Sequence, residues 1–170
     1  MRSLAILLAI STLLAARPAF AQSSPGHASG AHATHGTADT SFDAMQTRGR
    51  TAMGVDQYTS IHRFDALPDG GRIELQRDRD DSAGAARIQA HMRNIARAFT
   101  LGDFGTPAVV HMKRVPGADV MRARRRVIRY DQADLPRGAA LRIHSSDPAA
   151  ISAIHRFLAF QRTEHRVPAR

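Results

Sequence analysis

The chain has 170 residues, a formal net charge of +9, no Cys, and aromatic side chains at only 5% of its positions. This length suits a single folded domain. Without Cys, the chain has no disulfide, no thiolate metal site and no Cys nucleophile. The scarcity of aromatic residues argues against nucleic acid as a partner, because single-stranded nucleic acids are bound on aromatic stacking platforms.

The N-terminus has the pattern of a cleaved signal peptide. Arg2 precedes an apolar run from Leu4 to Ala16, and small residues lead to a cleavage site near Ala21. The run is shorter than the roughly 20 apolar residues that span a bilayer. We therefore predict a signal peptide over residues 1–21, and a mature protein that resides in the periplasm or is secreted.

Residues 22–40 consist mostly of small and polar residues, so we predict a disordered tail. The tail contains His27, His32 and His35. Imidazole binds Cu, Zn and Ni at neutral pH without a thiolate, which makes these histidines candidate ligands for weak metal capture. The alternative is that His is simply tolerated in a polar tail.

The first folded segment is a predicted short helix, capped by Ser41 and ended near Gly54. A hairpin follows, with one strand from Gln57 to Phe64 that places Tyr58, Ser60, His62 and Phe64 on one face. Leu67-Pro68-Asp69-Gly70-Gly71 has turn chemistry, since Pro fixes φ and Gly permits positive φ. The return strand runs from Arg72 to Gln76. We expect Ile73 and Leu75 to face inward and Arg72, Glu74 and Gln76 to face solvent.

The hairpin leads into a helix predicted to open in the acidic segment 78–82 and to reach about Thr100. Its apolar stripe places His91 on or beside the buried face. After a turn, Ala108 to Lys113 is predicted to be a short strand that carries His111. The stripe consists of Ile88, Met92, Ile95 and Phe99.

The same order of elements then recurs at a spacing of about 66 residues. Strands are predicted from Arg125 to Tyr130 and from Ala140 to Ile143, and Asp147-Pro148 begins a helix that carries His155. When the apolar stripes of the two helices are aligned, His91 and His155 occupy neighbouring rather than identical positions. We predict one α+β domain over 41–170, built from two ββα repeats at about 55–100 and 120–167, with an antiparallel sheet and helices on one face.

A pseudo-twofold arrangement of these repeats brings the two helices side by side. His91 and His155 are then candidate ligands in a folded metal site, joined by His62, His111 and His165. Zn, Cu and Ni sites use three or four such ligands. The spacing is weak support, because the chain has no His-Glu-x-x-His run. The alternative is that each His is a hydrogen-bonded core residue.

The second concentration of chemistry is an Arg-rich segment from Arg122 to Arg129, predicted to lie mainly on a strand. Arg124, Arg126 and Arg129 are candidate anion-binding residues, because guanidinium groups match paired anionic oxygens. The alternative function is therefore a non-enzymatic module that binds an anionic envelope component or a protein partner. The simpler interpretation of the Arg-rich segment is a solvated strand edge, where charges discourage aggregation. An enzyme is not favoured, since the chain has no Gly-rich phosphate loop and no Gly-x-Ser-x-Gly elbow.

Three stretches carry a resemblance to other proteins. They are Thr59-Ser60-Ile61-His62-Arg63-Phe64, the Leu-Pro-Asp-Gly-Gly turn, and the segment from Asp147 through Ile154-His155-Arg156-Phe157 to Glu164-His165. Together they resemble a group of small exported bacterial proteins with no assigned activity. The resemblance implies that Ser41 to His165 form one unit. It implies no reaction and transfers no site.

Overall fold

The computed structural model describes residues 40–167, and the predicted α+β class is confirmed there: a four-stranded antiparallel sheet is combined with five α-helices. The predicted signal peptide and the tail histidines His27, His32 and His35 lie outside the described residues. The helices are α1 (Phe42–Met53), α2 (Ser82–Thr100), α3 (Gly105–His111), α4 (Ala118–Ala123) and α5 (Pro148–Glu164), and the strands are β1 (Ser60–Leu67), β2 (Gly70–Arg77), β3 (Ile128–Leu135) and β4 (Gly138–Ser145).

The sheet consists of two hairpins side by side, in the strand order β1-β2-β4-β3. The strands β3 and β4 follow β1 and β2 at one constant spacing along the chain. Ile73 on β2 pairs with Leu141 on β4, and these two residues stand at that same spacing. An approximate twofold axis therefore passes between the central strands, as expected if the domain consists of two ββα units.

The two long helices cross over to the opposite hairpins. Helix α2 follows the first hairpin but packs mainly on β3 and β4, whereas α5 follows the second hairpin and packs on β1 and β2. Both helices bury their apolar faces against one side of the sheet, so the two units share a single core. The predicted stripe of α2 is buried in full, and α5 contributes Ile154, Phe157 and Leu158.

The predicted helix ends are also present. Ser41 accepts a hydrogen bond from the backbone of Ala44 to begin α1, and Gly54 ends it at φ 75°. Asp81 accepts from Gly84 at the start of α2, and Asp147 does the same for Ala150 in α5. These caps satisfy backbone N–H groups that have no partner inside the helix.

The prediction of a strand from Ala108 to Lys113 is wrong. This segment is part of helix α3 and of the turn that follows it. Pro107 falls in the first turn, where a missing N–H costs nothing. Burial follows helical spacing, since Pro107, Val110 and His111 are buried whereas Val109 is exposed. Met112 ends the helix at φ 51°.

The Arg-rich segment is likewise not a strand for most of its length. Arg122 lies in α4, Arg125–Val127 form a 3-10 turn, and β3 begins only at Ile128. Ile128 is the first side chain of this segment to enter the core, which sets the strand's beginning. Of the three candidate anion-binding residues, only Arg129 therefore lies on a strand.

Two smaller predictions about the first hairpin are wrong. Tyr58 precedes β1 and is exposed, because the carboxylate of Asp56 accepts hydrogen bonds from the backbone of Tyr58 and Thr59 and holds a turn there. Glu74 does face away from the helices but is only 7% exposed. Arg72 covers its carboxylate with a 2.7 Å ion pair, and Gln76 donates to it at 2.7 Å.

Candidate functional site

A cavity of about 70 Å³ lies where the inner face of the sheet meets the helices α1, α2, α3 and α5. Most of its wall is apolar and buried, and this apolar wall is interrupted by four histidines. The lining residues are Met53, His62, Phe64, Ile73, Leu75, His91, Met92, Ile95, Phe99, Thr106, Pro107, Val110, His111, Phe157, Gln161 and His165.

His62 reaches the cavity from β1, where strand alternation places Ser60, His62 and Phe64 on the inner face. The Ser60 hydroxyl donates its hydrogen to the backbone carbonyl of Asp56 and lies 3.0 Å from His62 Nε2. Since that hydroxyl hydrogen is already used, the Ser60 oxygen accepts from His62 Nε2–H. Nδ1 of His62 consequently keeps its lone pair.

His165 follows the last turn of α5. Its Nδ1 lies 3.0 Å from Oε1 of Gln57, an oxygen that also accepts from the Gln46 amide at 3.2 Å. The Gln57 amide nitrogen in turn donates to the backbone carbonyl of His165. These contacts assign Nδ1 of His165 as the donor, which leaves Nε2 with its lone pair.

His111, the last residue of α3, is oriented by Gln161 on α5. Its Nε2 lies 2.9 Å from Oε1 of Gln161, so Nε2 carries the hydrogen. Its Nδ1 is buried without a hydrogen-bond partner, 3.8 Å from Oε2 of Glu164.

His91 on α2 forms a hydrogen bond with the backbone of Ala52. This contact favours the protonated form of the ring, so the ring is the donor.

Three of the four rings are direct neighbours. The ring centroid of His165 lies 5.1 Å from that of His62 and 5.1 Å from that of His111. Phe64 also contacts His165, with a centroid distance of 5.3 Å. His91 shares the same cavity from the side of α2.

Burial keeps these rings neutral. It lowers the pKa of His62 to about 4, with a further contribution from neighbouring His91, and it lowers the pKa of His91 to about 4. The pKa of His165 falls to about 2, again mainly through burial and then through His62 and His111. Burial also lowers the pKa of His111, although its hydrogen bond to Gln161 opposes the change. At pH 7 all four rings therefore present a neutral imidazole, the form that binds metals.

The structure thus brings together four of the five histidines predicted for a folded site. His155 is the exception, because its Nε2 bonds the backbone carbonyl of Leu67 at 2.9 Å and it does not line the cavity. The crossover of the helices explains this outcome, since α5 lies over β1 and β2 and directs His155 to the turn between them. His91 and His155 accordingly do not face each other across one site.

Sequence reasoning missed the role of the groups that orient the rings, Ser60, Gln57 and Gln161, and the thioethers of Met53 and Met92 in the cavity wall. The adjacent pair His91-Met92 on a buried helical stripe was the available signal. Within residues 40–167, no group of three or more His, Cys, Asp or Glu side chains is arranged to hold a metal ion.

The candidate anion-binding residues divide into two sets. Arg124 is held by Asp147 in a 2.6 Å ion pair. Arg126 and Arg129 instead line a separate surface groove with His144, Ser145, Ser146 and Val127.

Comparisons with protein-family models, with curated proteins and with solved structures gave no match to this chain. Across residues 40–167, the helices are all too short or too polar to cross a bilayer. The assignment of a function therefore depends on the chemistry of the cavity.

Proposed function

We propose that this protein is an exported metal-binding protein that holds a transition-metal ion of the Cu, Zn and Ni group in the histidine-lined cavity. The observation that carries the proposal is that four imidazoles line one cavity, each from a separate part of the fold. His62 comes from β1, His91 from α2, His111 from α3 and His165 from the end of α5. Export is part of the proposal and depends on the N-terminal sequence pattern.

The hydrogen bonds behind these rings support a ligand role. Metal-binding histidines almost always donate their second ring nitrogen to a protein acceptor, which fixes the tautomer and the ring orientation. Here Ser60 accepts from His62, Gln57 from His165 and Gln161 from His111. Each of these three rings keeps one nitrogen lone pair.

The energetic cost of the arrangement supports the same reading. A buried imidazole that stays neutral makes the fold less stable in acid, because the unfolded chain can protonate it. A single buried neutral His is common in protein cores. Four such histidines around one cavity lower the stability of the fold in acid several times over, and a cluster of titratable groups with perturbed pKa values in a cavity is typical of a functional site.

Thermal unfolding with added metal tests the proposal. The chain from Gln22 is prepared without an affinity tag and with His27, His32 and His35 replaced by Asn, so that the tail cannot bind. A metal at about 100 times its dissociation constant stabilises the fold by about 2.7 kcal/mol, which raises the midpoint by several degrees. We expect this rise with at least one of Cu, Zn and Ni.

The variant His62→Gln with His165→Gln should remove the rise, whereas the matched variant His144→Gln with His155→Gln should keep it. The two control histidines lie outside the cavity. A midpoint that no metal raises, or a rise that survives the loss of His62 and His165, contradicts the proposal.

The groove lined by Arg126 and Arg129 supports a second candidate function, binding of an anionic envelope component. Both side chains are exposed, and neither forms an ion pair within residues 40–167. Inorganic polyphosphate should then bind with an affinity that falls steeply as salt increases, since exposed charges are screened. Binding that Arg126→Ala with Arg129→Ala leaves unchanged would contradict this reading.

A further inference from the structure

The cavity offers sulfur as well as nitrogen. Met53, the last residue of α1, and Met92, in the middle of α2, both contribute to its wall. Met92 is 2% exposed, and Met53 is half-buried. The donors around the cavity are therefore imidazole nitrogens, two thioether sulfurs, the Thr106 hydroxyl and the Gln161 amide.

Carboxylates are excluded from this set. None of the residues that line the cavity is acidic. The two nearby carboxylates are used elsewhere: Asp56 pairs with Arg50 at 2.5 Å, and Glu164 pairs with Lys113 at 2.8 Å. Every donor that faces the cavity is accordingly neutral.

A neutral donor set in an apolar wall discriminates between ions by charge. The cost of moving an ion out of water rises with the square of its charge, so a divalent ion pays far more than a monovalent one unless anionic ligands offset it. Thioether sulfur is also a soft ligand, and soft ligands select Cu(I), whereas imidazole accepts Cu as readily as Zn or Ni.

From this combination we propose that the ion bound in the cavity is Cu(I), held by the neighbouring imidazoles of His62 and His165 together with the thioethers of Met53 and Met92. The inference rests on the proposed function and specifies its metal. The geometry also argues against a harder ion such as Zn. A Zn site needs three or more His or carboxylate ligands, and within residues 40–167 no such group is arranged as a site.

Met side chains suit such a site for a mechanical reason. The thioether ends a chain of three rotatable bonds, so sulfur can move toward an ion without a shift of the backbone. Met53 and His91 are both half-buried, whereas His62 and His165 lie deeper. The outer pair therefore lies nearer the surface than the two inner imidazoles.

Competition with a coloured Cu(I) chelator, under anaerobic reducing conditions, tests the inference. The protein is the chain from Gln22 with the three tail histidines replaced by Asn. We expect one Cu(I) per chain, bound at least 100-fold more tightly than Zn²⁺. The variant Met53→Leu with Met92→Leu should weaken Cu(I) binding at least tenfold, because Leu keeps the volume and removes the sulfur.

Met45→Leu with Met121→Leu is the matched control, since both side chains are buried outside the cavity, and it should bind Cu(I) like the unchanged protein. X-ray absorption at the copper edge adds an independent readout: a sulfur shell around copper should be present in the control and absent in the cavity variant.

The outcomes separate the inference from the proposed function. If Zn²⁺ or Ni²⁺ binds through His62 and His165 and the cavity Met substitutions have no effect, metal binding stands and the Cu(I) inference is wrong. If no metal binds at all, both are wrong.

Discussion

Acidification should destabilise the metal-free protein well above the pH at which carboxylates titrate. In the unfolded chain a His titrates near pH 6.5, but burial lowers the folded pKa of His62 and His91 to about 4 and that of His165 to about 2. Between pH 6.5 and 5 the unfolded chain therefore takes up protons that the folded chain refuses. The protein has its full free energy of unfolding above pH 6.5, and this free energy decreases as the pH falls toward the folded pKa values.

The magnitude follows from this difference in proton binding. Below pH 6.5, each ring that stays neutral in the folded state lowers the free energy of unfolding by about 1.4 kcal/mol per pH unit. The loss is about 2 kcal/mol at pH 5 relative to pH 7.5. Three rings give a loss of about 6 kcal/mol as an upper bound, because local opening lets a folded ring protonate. Since small domains are stable by about 5–15 kcal/mol, this loss is a large part of the total.

The assay is urea unfolding followed by far-UV circular dichroism, in the presence of a chelator, at pH 7.5, 6.5, 5.5 and 5.0. The variant His165→Gln should lower the slope of unfolding free energy against pH by about 1.4 kcal/mol per pH unit. Met121→Leu, a buried change without a titratable group, should keep the original slope. A flat profile between pH 6.5 and 5, or an unchanged slope in His165→Gln, refutes the claim that the rings are buried and neutral.

Three further substitutions test the fold through urea unfolding at pH 7.5. Gly138→Ala should cost at least about 2 kcal/mol, because its Cβ would lie 2.0 Å from the backbone oxygen of Leu75, and a near-neutral result would contradict that close approach. Gly49→Ala should instead stabilise α1 by up to about 1 kcal/mol, since the added Cβ meets only the mobile methyl end of Met53 at 3.3 Å; a clear loss would show that Met53 cannot shift. Leu141→Ala, at a fully buried position beside the approximate twofold axis, should cost about 2–5 kcal/mol, and a loss below 1 kcal/mol would mean that the two units do not share this core.

The elements that were predictable from the sequence are those with strong local signals. Helix α2 has an unbroken apolar stripe of four residues and a capping Asp81, and α5 has Asp147 followed by Pro148. Both hairpins have Pro and Gly in their turns, where φ is constrained. Such signals depend only on neighbours in the chain.

Helix α3 could not be predicted in the same way. The run from Ala108 to His111 is short and mostly apolar, and such a run does not distinguish a strand from a buried helix. Tertiary packing against α1 decides its conformation. The correct cue was the spacing of Pro107, Val110 and His111, which is visible only once the buried face is known.

The candidate site required knowledge of the tertiary structure for a similar reason. The sequence identified His62, His91, His111 and His165 as candidates but could not exclude His155, because which rings converge depends on the crossover of α2 and α5. The two thioethers became candidate ligands only when Met53, at the end of α1, was found with Met92 of α2 in one cavity wall.

The central claim is that the histidine-lined cavity holds a metal ion. The most direct measurement is the stoichiometry of Cu(I) on the chain from Gln22 with the tail histidines replaced, followed by chelator competition. We predict one ion per chain, and none when His62 and His165 are both Gln in a protein that still unfolds cooperatively. Absence of bound metal in the parent chain, or the same stoichiometry after both substitutions, would contradict the account.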